Sequence, residues 1–206
     1  MLFRSGDLLD GGVVSIHVLD DGSILVGGQF TSPSNSLARF DADGRPDSAF
    51  NARVGNAINL AVGAVDVQSD GKIVVGGAFT TPSHGLARFG PDGSQDDAFN
   101  AVVGSSIKGY VSSVIVQSDD RILIGGQFSA PTNSIARLEA DGRPDVGFDQ
   151  TFTTSVGATL DGYIEKLAVQ SNGEIVVSGW FSRPKPWVLR LGAKGALDER
   201  FAASPE

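Results

Sequence analysis

Alternation of apolar and polar positions is clearest in Ala64–Gln68, AVDVQ, where Val65 and Val67 fall on one face of an extended segment and Asp66 on the other. Asp70-Gly71 follows and suits a two-residue type I′ turn, whose central residues both take positive φ. The returning segment, KIVVGGAF, has no polar face between Ile73 and Gly77, as in a strand covered on both sides. A Pro-containing loop leads to a third apolar run, LARF at Leu86–Phe89, then to a second Asp-Gly turn at Asp92-Gly93 and a short segment around Asp96–Phe99. The pattern predicts four antiparallel strands in about 49 residues and no amphipathic helix.

The unit repeats. GGQF at Gly27–Phe30 returns as GGAF at Gly76–Phe79, GGQF at Gly125–Phe128 and SGWF at Ser178–Phe181, at offsets of 49, 49 and 53. Arg39, Arg88, Arg137 and Arg190 keep the same offsets, as do Phe50, Phe99, Phe148 and Phe201. Two anchors on one period define four copies, approximately 13–61, 62–110, 111–163 and 164–206, with 1–12 as the remnant of a preceding blade in which Phe3 matches a closing phenylalanine. The first turns of the other copies are Asp21-Gly22, Asp119-Asp120 and Asn172-Gly173, and Asp120 in place of glycine costs on the order of 1 kcal/mol. The expected fold is all-β: residues 1–206 form a single β-propeller domain of four-stranded blades, closed as four or forming half of a larger ring. Glycine pairs in a covered strand have two structural readings, close approach of a neighbouring sheet or a β-bulge. Each repeated arginine stands eight residues before an aspartate (Asp47, Asp96, Asp145, Asp198), which predicts a cross-strand ion pair in each blade.

Composition narrows the function classes. Glycine fills 27 of 206 positions while apolar residues hold 41%, which indicates many turns around a real core. A formal charge of -8 lacks the cationic footprint that phosphate backbones and anionic headgroups require, so nucleic acid is not an expected partner. The absence of cysteine excludes disulfides, thiolate metal sites and cysteine nucleophiles. No apolar stretch is long enough to span a bilayer, and Met1–Asp10 lacks the cationic flank and apolar core of an export signal, so no membrane insertion is expected.

VDVQSDGKIVVGGAFT followed by GLARFGPDGSQDDAF resembles the delta-60 repeat, a bacterial unit that reads as a V-x-V-Q-x-D-G-K-I stretch ending in G-G-x-F, then an A-R-L stretch ending in D-G-x-x-D-x-x-F. The resemblance covers all four copies. It implies a β-propeller in large secreted or surface-attached bacterial proteins, without a defined catalytic activity or cofactor. The fourth copy departs most, with Ser178, Trp180 and Lys194-Gly195 at positions that are elsewhere Gly, Gln or Ala, and Asp-Gly.

Strand parity puts the Asp-Gly turns on one rim and, opposite them, the loops TSPSNS, TTPSHG, SAPTNS and SRPKPW together with the crossovers between copies. Irregular loops on a rigid scaffold are the expected binding face. Asn35, His84 and Asn133 occupy equivalent loop positions, Lys185 and Trp187 lie nearby in the fourth copy, and Tyr110, Phe152 and Tyr163 fall on crossovers. Amides and hydroxyls beside exposed aromatics suit a glycan, or a protein ligand; the plainer reading is turn chemistry. The crossover Asp149–Gly162, four residues longer than its counterparts, is positioned to reach over the ring mouth.

Other chemistries have weaker support. Asp41, Asp43 and Asp47 offer oxygens for calcium, but Gly90, Glu139 and Gly192 replace Asp41 in the other copies and too few ligands accompany the set. The histidines His17 and His84 have no paired nucleophile, and no metal-ligand or phosphate-loop motif occurs. Asp149, Asp161 and Glu165 could supply a glycosidase pair. The sequence thus points to a non-catalytic recognition or adhesion module, with an architectural spacer and a glycoside hydrolase as alternatives. Self-association to complete a ring is a further expectation.

Overall fold

The computed structural model of the chain describes residues 8–156 and 160–201. Phe3 and part of the long crossover therefore lie outside the described residues. The chain divides into two compact units, Met1–Ser105 and Ser106–Glu206. The first holds β1 (Gly12–Val18), β2 (Ile24–Gln29), β3 (Leu37–Phe40), α1 (Ser48–Val54), β4 (Val62–Val67), β5 (Ile73–Gly77) and β6 (Leu86–Phe89), and α2 (Asp97–Ser106) ends it. The second holds β7 (Gly109–Val116), β8 (Ile122–Phe128), β9 (Ile135–Leu138), α3 (Val146–Val156), β10 (Tyr163–Val169), β11 (Ile175–Trp180) and β12 (Val188–Leu191). Each copy is a three-stranded antiparallel meander.

The expected fourth strand is replaced. Phe40, Phe89, Leu138 and Leu191 each make one antiparallel bridge, to Pro46, Gln95, Pro144 and Leu197, and pairing stops there. In the first three copies the chain then turns into a helix, so the expectation of no helix is also corrected. Asp47 caps α1 by accepting the N–H of Phe50, and Asp96 and Asp145 accept those of Phe99 and Phe148. Phe50, Asn51 and Val54 are the buried face of α1, with Phe99, Asn100 and Val103 in α2 and Phe148, Asp149 and Phe152 in α3. This i, i+1, i+4 spacing suits a helix and cannot share one face of a strand.

Both readings of the glycine pair hold, one for each glycine. A Cβ on Gly27 would lie 2.5 Å from Val62 Cγ1, so the first glycine admits the next sheet. A Cβ on Gly28 would lie 2.1 Å from the carbonyl oxygen of Gly12, where the β1–β2 register shifts between Val13 and Ser15, so the second accommodates a bulge. Gly125 meets Ile164 and Leu167 in the same way, and Gly126 meets the Tyr110 carbonyl. Leu25, Leu37, Phe50, Ile58, Val62 and Phe79 belong to the core between the sheets of the first unit, and Leu123, Phe148, Ile164 and Phe181 to that of the second.

Candidate functional site

The loops after β2, β5, β8 and β11 each contain a cis X-Pro bond, at Pro33, Pro82, Pro131 and Pro184. Their first residues are held by the preceding crossover. Asp10 Oδ1 accepts the N–H groups of Thr31 (2.6 Å) and Ser32 (2.9 Å), and its other oxygen accepts the Thr31 hydroxyl. Asn59 accepts from Thr80 and Thr81 at 2.9 and 3.2 Å and donates to the Thr80 hydroxyl. Asp161 accepts from Ser182 (2.7 Å) and Arg183 (2.9 Å). These donors hold the carboxyls of Asp10 and Asp161 down to about 2. Lys108 takes the equivalent place in the third copy, where only its carbonyl receives the Ser129 N–H, at 3.1 Å. The sequence reading missed this clamp, although an Asp or Asn two or three residues before the start of a bulged first strand was the available signal.

Loops and crossovers thus share an end within each unit, as strand parity predicted. The turns share the other: a Cβ on Gly22 would lie 3.2 Å from Ala42 Cβ, and one on Gly173 3.3 Å from Ala193 Cβ. Inside the loops, the Ser34 hydroxyl donates to the Leu37 carbonyl at 2.6 Å, and Ser83 and Thr132 do likewise to Leu86 and Ile135. The Leu37 N–H donates to the Asn35 carbonyl at 2.8 Å around Ser36, whose φ is 62; Gly85, Ser134 and Trp187 repeat this tight turn at φ 70, 68 and 67. The serines, threonines and prolines are therefore turn chemistry.

The loop amides are a different matter. Among the described residues the side chains of Asn35, His84 and Asn133 make no hydrogen bond. Asn35 lines a cavity of about 250 Å3 with Asp10, Gln29, Thr31, Ile58 and Asn59. Asn133 lines the equivalent cavity of the second unit, about 290 Å3, with Lys108, Gln127, Ser129, Leu160 and Gly162. Tyr110 and Tyr163 lie at the starts of β7 and β10, the first exposed and the second half-buried. Lys185 instead donates to the carbonyls of Glu199 and Phe201 at 2.5 and 2.6 Å, which ties it to the end of the last repeat. Trp187 packs edge-on against Trp180, ring centres 5.5 Å apart, and the Trp180 indole N–H donates to Glu165 at 3.1 Å. Both rings are exposed.

The candidate carboxylates have structural partners. Asp161 is the clamp, Glu165 receives the Trp180 indole, and Asp149 sits in α3 where α1 has Asn51. Asn51 accepts the Arg39 N–H (2.9 Å) and donates to the Arg39 carbonyl (3.0 Å), closing both backbone groups. Asp149 accepts the Arg137 N–H at 3.4 Å, and burial pushes its carboxyl up to about 6. Asp41 accepts the N–H groups of Asp43 and Arg45, Asp43 pairs with Arg45, and Asp47 caps α1 and pairs with Arg39, so the calcium candidates are engaged locally. Among the described residues no group of three metal-ligating side chains converges. His17 lies 3.2 Å from Asp66 on the next sheet.

The repeated ion pairs are present: Arg39–Asp47 at 2.6 Å, Arg88–Asp96 at 2.9 Å, Arg137–Asp145 at 2.8 Å and Arg190–Asp198 at 2.6 Å. Each guanidinium also covers the phenylalanine of its own copy, with centroid distances from 4.1 to 4.8 Å. These arginines bind the blade together.

The family described as a domain of unknown function (DUF5122) beta-propeller matches residues 19–50, 68–99, 117–148 and 170–201. The chain superposes on the WD40 β-propeller domain of Doa1 with a TM-score of 0.55 at 13% identity, covering 82% of this chain and 48% of that one. For PorZ, a surface component of the type-IX secretion system of Porphyromonas gingivalis, the TM-score is 0.59 at 12% identity, with 96% and 28% covered. For XC5397, a gluconolactonase from Xanthomonas campestris, it is 0.54 at 15%, with 88% and 59% covered. The chain thus spans about half of the Doa1 domain and about a quarter of PorZ. Such identities show the fold alone. No curated protein matches the chain. Among the described residues no helix is long and apolar enough to cross a membrane.

Proposed function

Since the chain belongs to the DUF5122 β-propeller family, we propose that it is a non-catalytic recognition module, built from units of the delta-60 kind, that presents its loop rim to a glycan. One observation carries this reading: the rim backbone is fixed by the Asp10, Asn59 and Asp161 clamps, while Asn35 and Asn133 line cavities with amide groups that make no hydrogen bond among the described residues, and the exposed His84 imidazole is likewise uncommitted. Fixed donors and acceptors bind hydroxyls at low entropic cost. Trp187, Tyr110 and Tyr163 supply aromatic faces for a pyranose. The likeness to a surface component, PorZ, supports secretion or surface attachment. A glycan array probed with the chain tests the reading: binding that falls at least roughly tenfold in both Asn35→Ala and Asn133→Ala supports it, and an array with no hits refutes it.

A second reading, a spacer or assembly module, is favoured by β1. Val13 and Ile16 are 40% and 65% exposed, whereas Val62 and Val65, one repeat later, are 0% and 7% because the preceding sheet covers them. An uncovered apolar strand face of this kind suits another blade. Sedimentation analysis of the chain and of Ile16→Asp tests it: a dimer lost on substitution supports the reading, and a monomer throughout refutes self-assembly.

A further inference from the structure

The turn rim differs between the two units. In the first, Arg53 of α1 pairs with Asp92 of the next copy's turn, and Leu19 packs into the core beneath. The equivalent positions of the second unit are Thr151, Lys194 and Gln117. The bridge across the sheets is therefore gone, and a cleft of about 560 Å3 opens between the turns, lined by Gln117, Arg121, Arg137, Asp145, Thr151 and Lys194 among others. That volume lies within the range of small-molecule sites, roughly 300–1,000 Å3, whereas the loop-rim cavities fall just below it.

The free valences of this cleft have one sign. Arg137 is paired with Asp145, and Arg121 with Asp119 and Glu139. Among the described residues Lys194 has no ion pair, and its exposed ammonium stands where the other copies carry Asp43, Asp92 and Asp141. The Gln117 Oε1 is closed off from solvent and has no hydrogen-bond donor. A buried acceptor without a donor is disfavoured, and a ligand hydroxyl that reaches it removes that penalty.

We propose that this cleft binds a small hydroxycarboxylate, its carboxylate on Lys194 and a hydroxyl donating to Gln117 once the amide turns toward the cleft. A carboxylate meets the unpaired ammonium, hydroxyls meet Gln117 and the acceptor lone pairs of Thr151, and the paired Arg121 and Arg137 keep the surrounding potential from being anionic in a chain of net charge -8. A neutral polyol lacks the first contact, and inorganic phosphate lacks a reach to the second.

Calorimetric titration of the full chain with gluconate, tartrate, sorbitol and inorganic phosphate tests this. Gluconate or tartrate should bind with a Kd below about 10 mM, at least roughly tenfold tighter than sorbitol or phosphate, and more weakly as salt is added. The variant Thr151→Arg with Lys194→Asp reinstates the residues of the first unit, and should abolish binding while raising the melting temperature. Lys194→Met, at an exposed turn, supplies the same loss if the double variant does not fold. No binding by either hydroxycarboxylate, equal binding by sorbitol or phosphate, or binding unchanged in Lys194→Met would overturn the proposal. None of these outcomes depends on the loop rim.

Discussion

The two units repeat one steric plan and differ in their polar positions. Gly27 faces Val62 and Val65 in the first, and Gly125 faces Ile164 and Leu167 in the second. Ser15 accepts the Val65 N–H at 3.1 Å and Ser113 accepts that of Leu167 at the same distance. Arg39 reaches the Pro91 carbonyl at 2.6 Å, and Arg137 reaches that of Ala193 at 2.7 Å. Against this stand Asn51 and Asp149, the Arg53–Asp92 bridge and the Thr151–Lys194 cleft, and the Asn59 clamp in a repeat whose successor has Lys108. Close packing leaves no latitude where sheets meet, because one methyl group changes the fit. Polar positions at a rim exchange one partner for another or for water, so function has room to diverge there.

Three pairs of substitutions probe this comparison. Arg137→Met leaves a largely buried Asp145 without its counter-charge and should cost about 3 kcal/mol, while Arg39→Met, at a more exposed pair, should cost about half as much. Equal losses in urea titrations would show that burial does not distinguish the units. Gly27→Val and Gly125→Val should each lose about 1–3 kcal/mol by overpacking the same contact, and a marked inequality would break the shared plan. The smallest effect is at α3. Because Asp149 has a folded-state pKa raised to about 6, its contribution is full below about 3.8 and is lost as pH rises through 6. Asp149→Asn restores the donor to the Arg137 carbonyl, so it should gain about 1 kcal/mol at neutral pH and flatten thermal stability across that window. Asn51→Asp should carry the pH dependence into the first unit.

Much of the fold was legible because its signals are local. Asp-Gly turns, doubled glycines and an arginine eight residues before an aspartate recur at one period, and each is decided within a few residues of chain. The helices were missed at a point where local signals conflict. Asp96–Phe99 follows a hairpin turn and begins with one bridge, as a strand would, and only the buried Val103 one helical turn beyond Phe99 reveals the other outcome. Among the candidate residues, the equivalent placement of Asn35 and Asn133 beside loop cavities was legible from the repeat. The contacts of Lys185 were not legible, because the carbonyls of Glu199 and Phe201 that it reaches come from a turn fourteen to sixteen residues away.

By itself the sequence determined the repeat, the strand order within each sheet and the ends at which turns and loops emerge, since periodicity and turn chemistry are properties of neighbouring residues. Only the tertiary structure decided which glycine admits a sheet and which a bulge, which carboxylates are spent on backbone donors, and where a lost ion pair leaves a cleft. Those outcomes depend on atoms brought together from separate copies, and the distance between such atoms is set by packing, not by spacing along the chain.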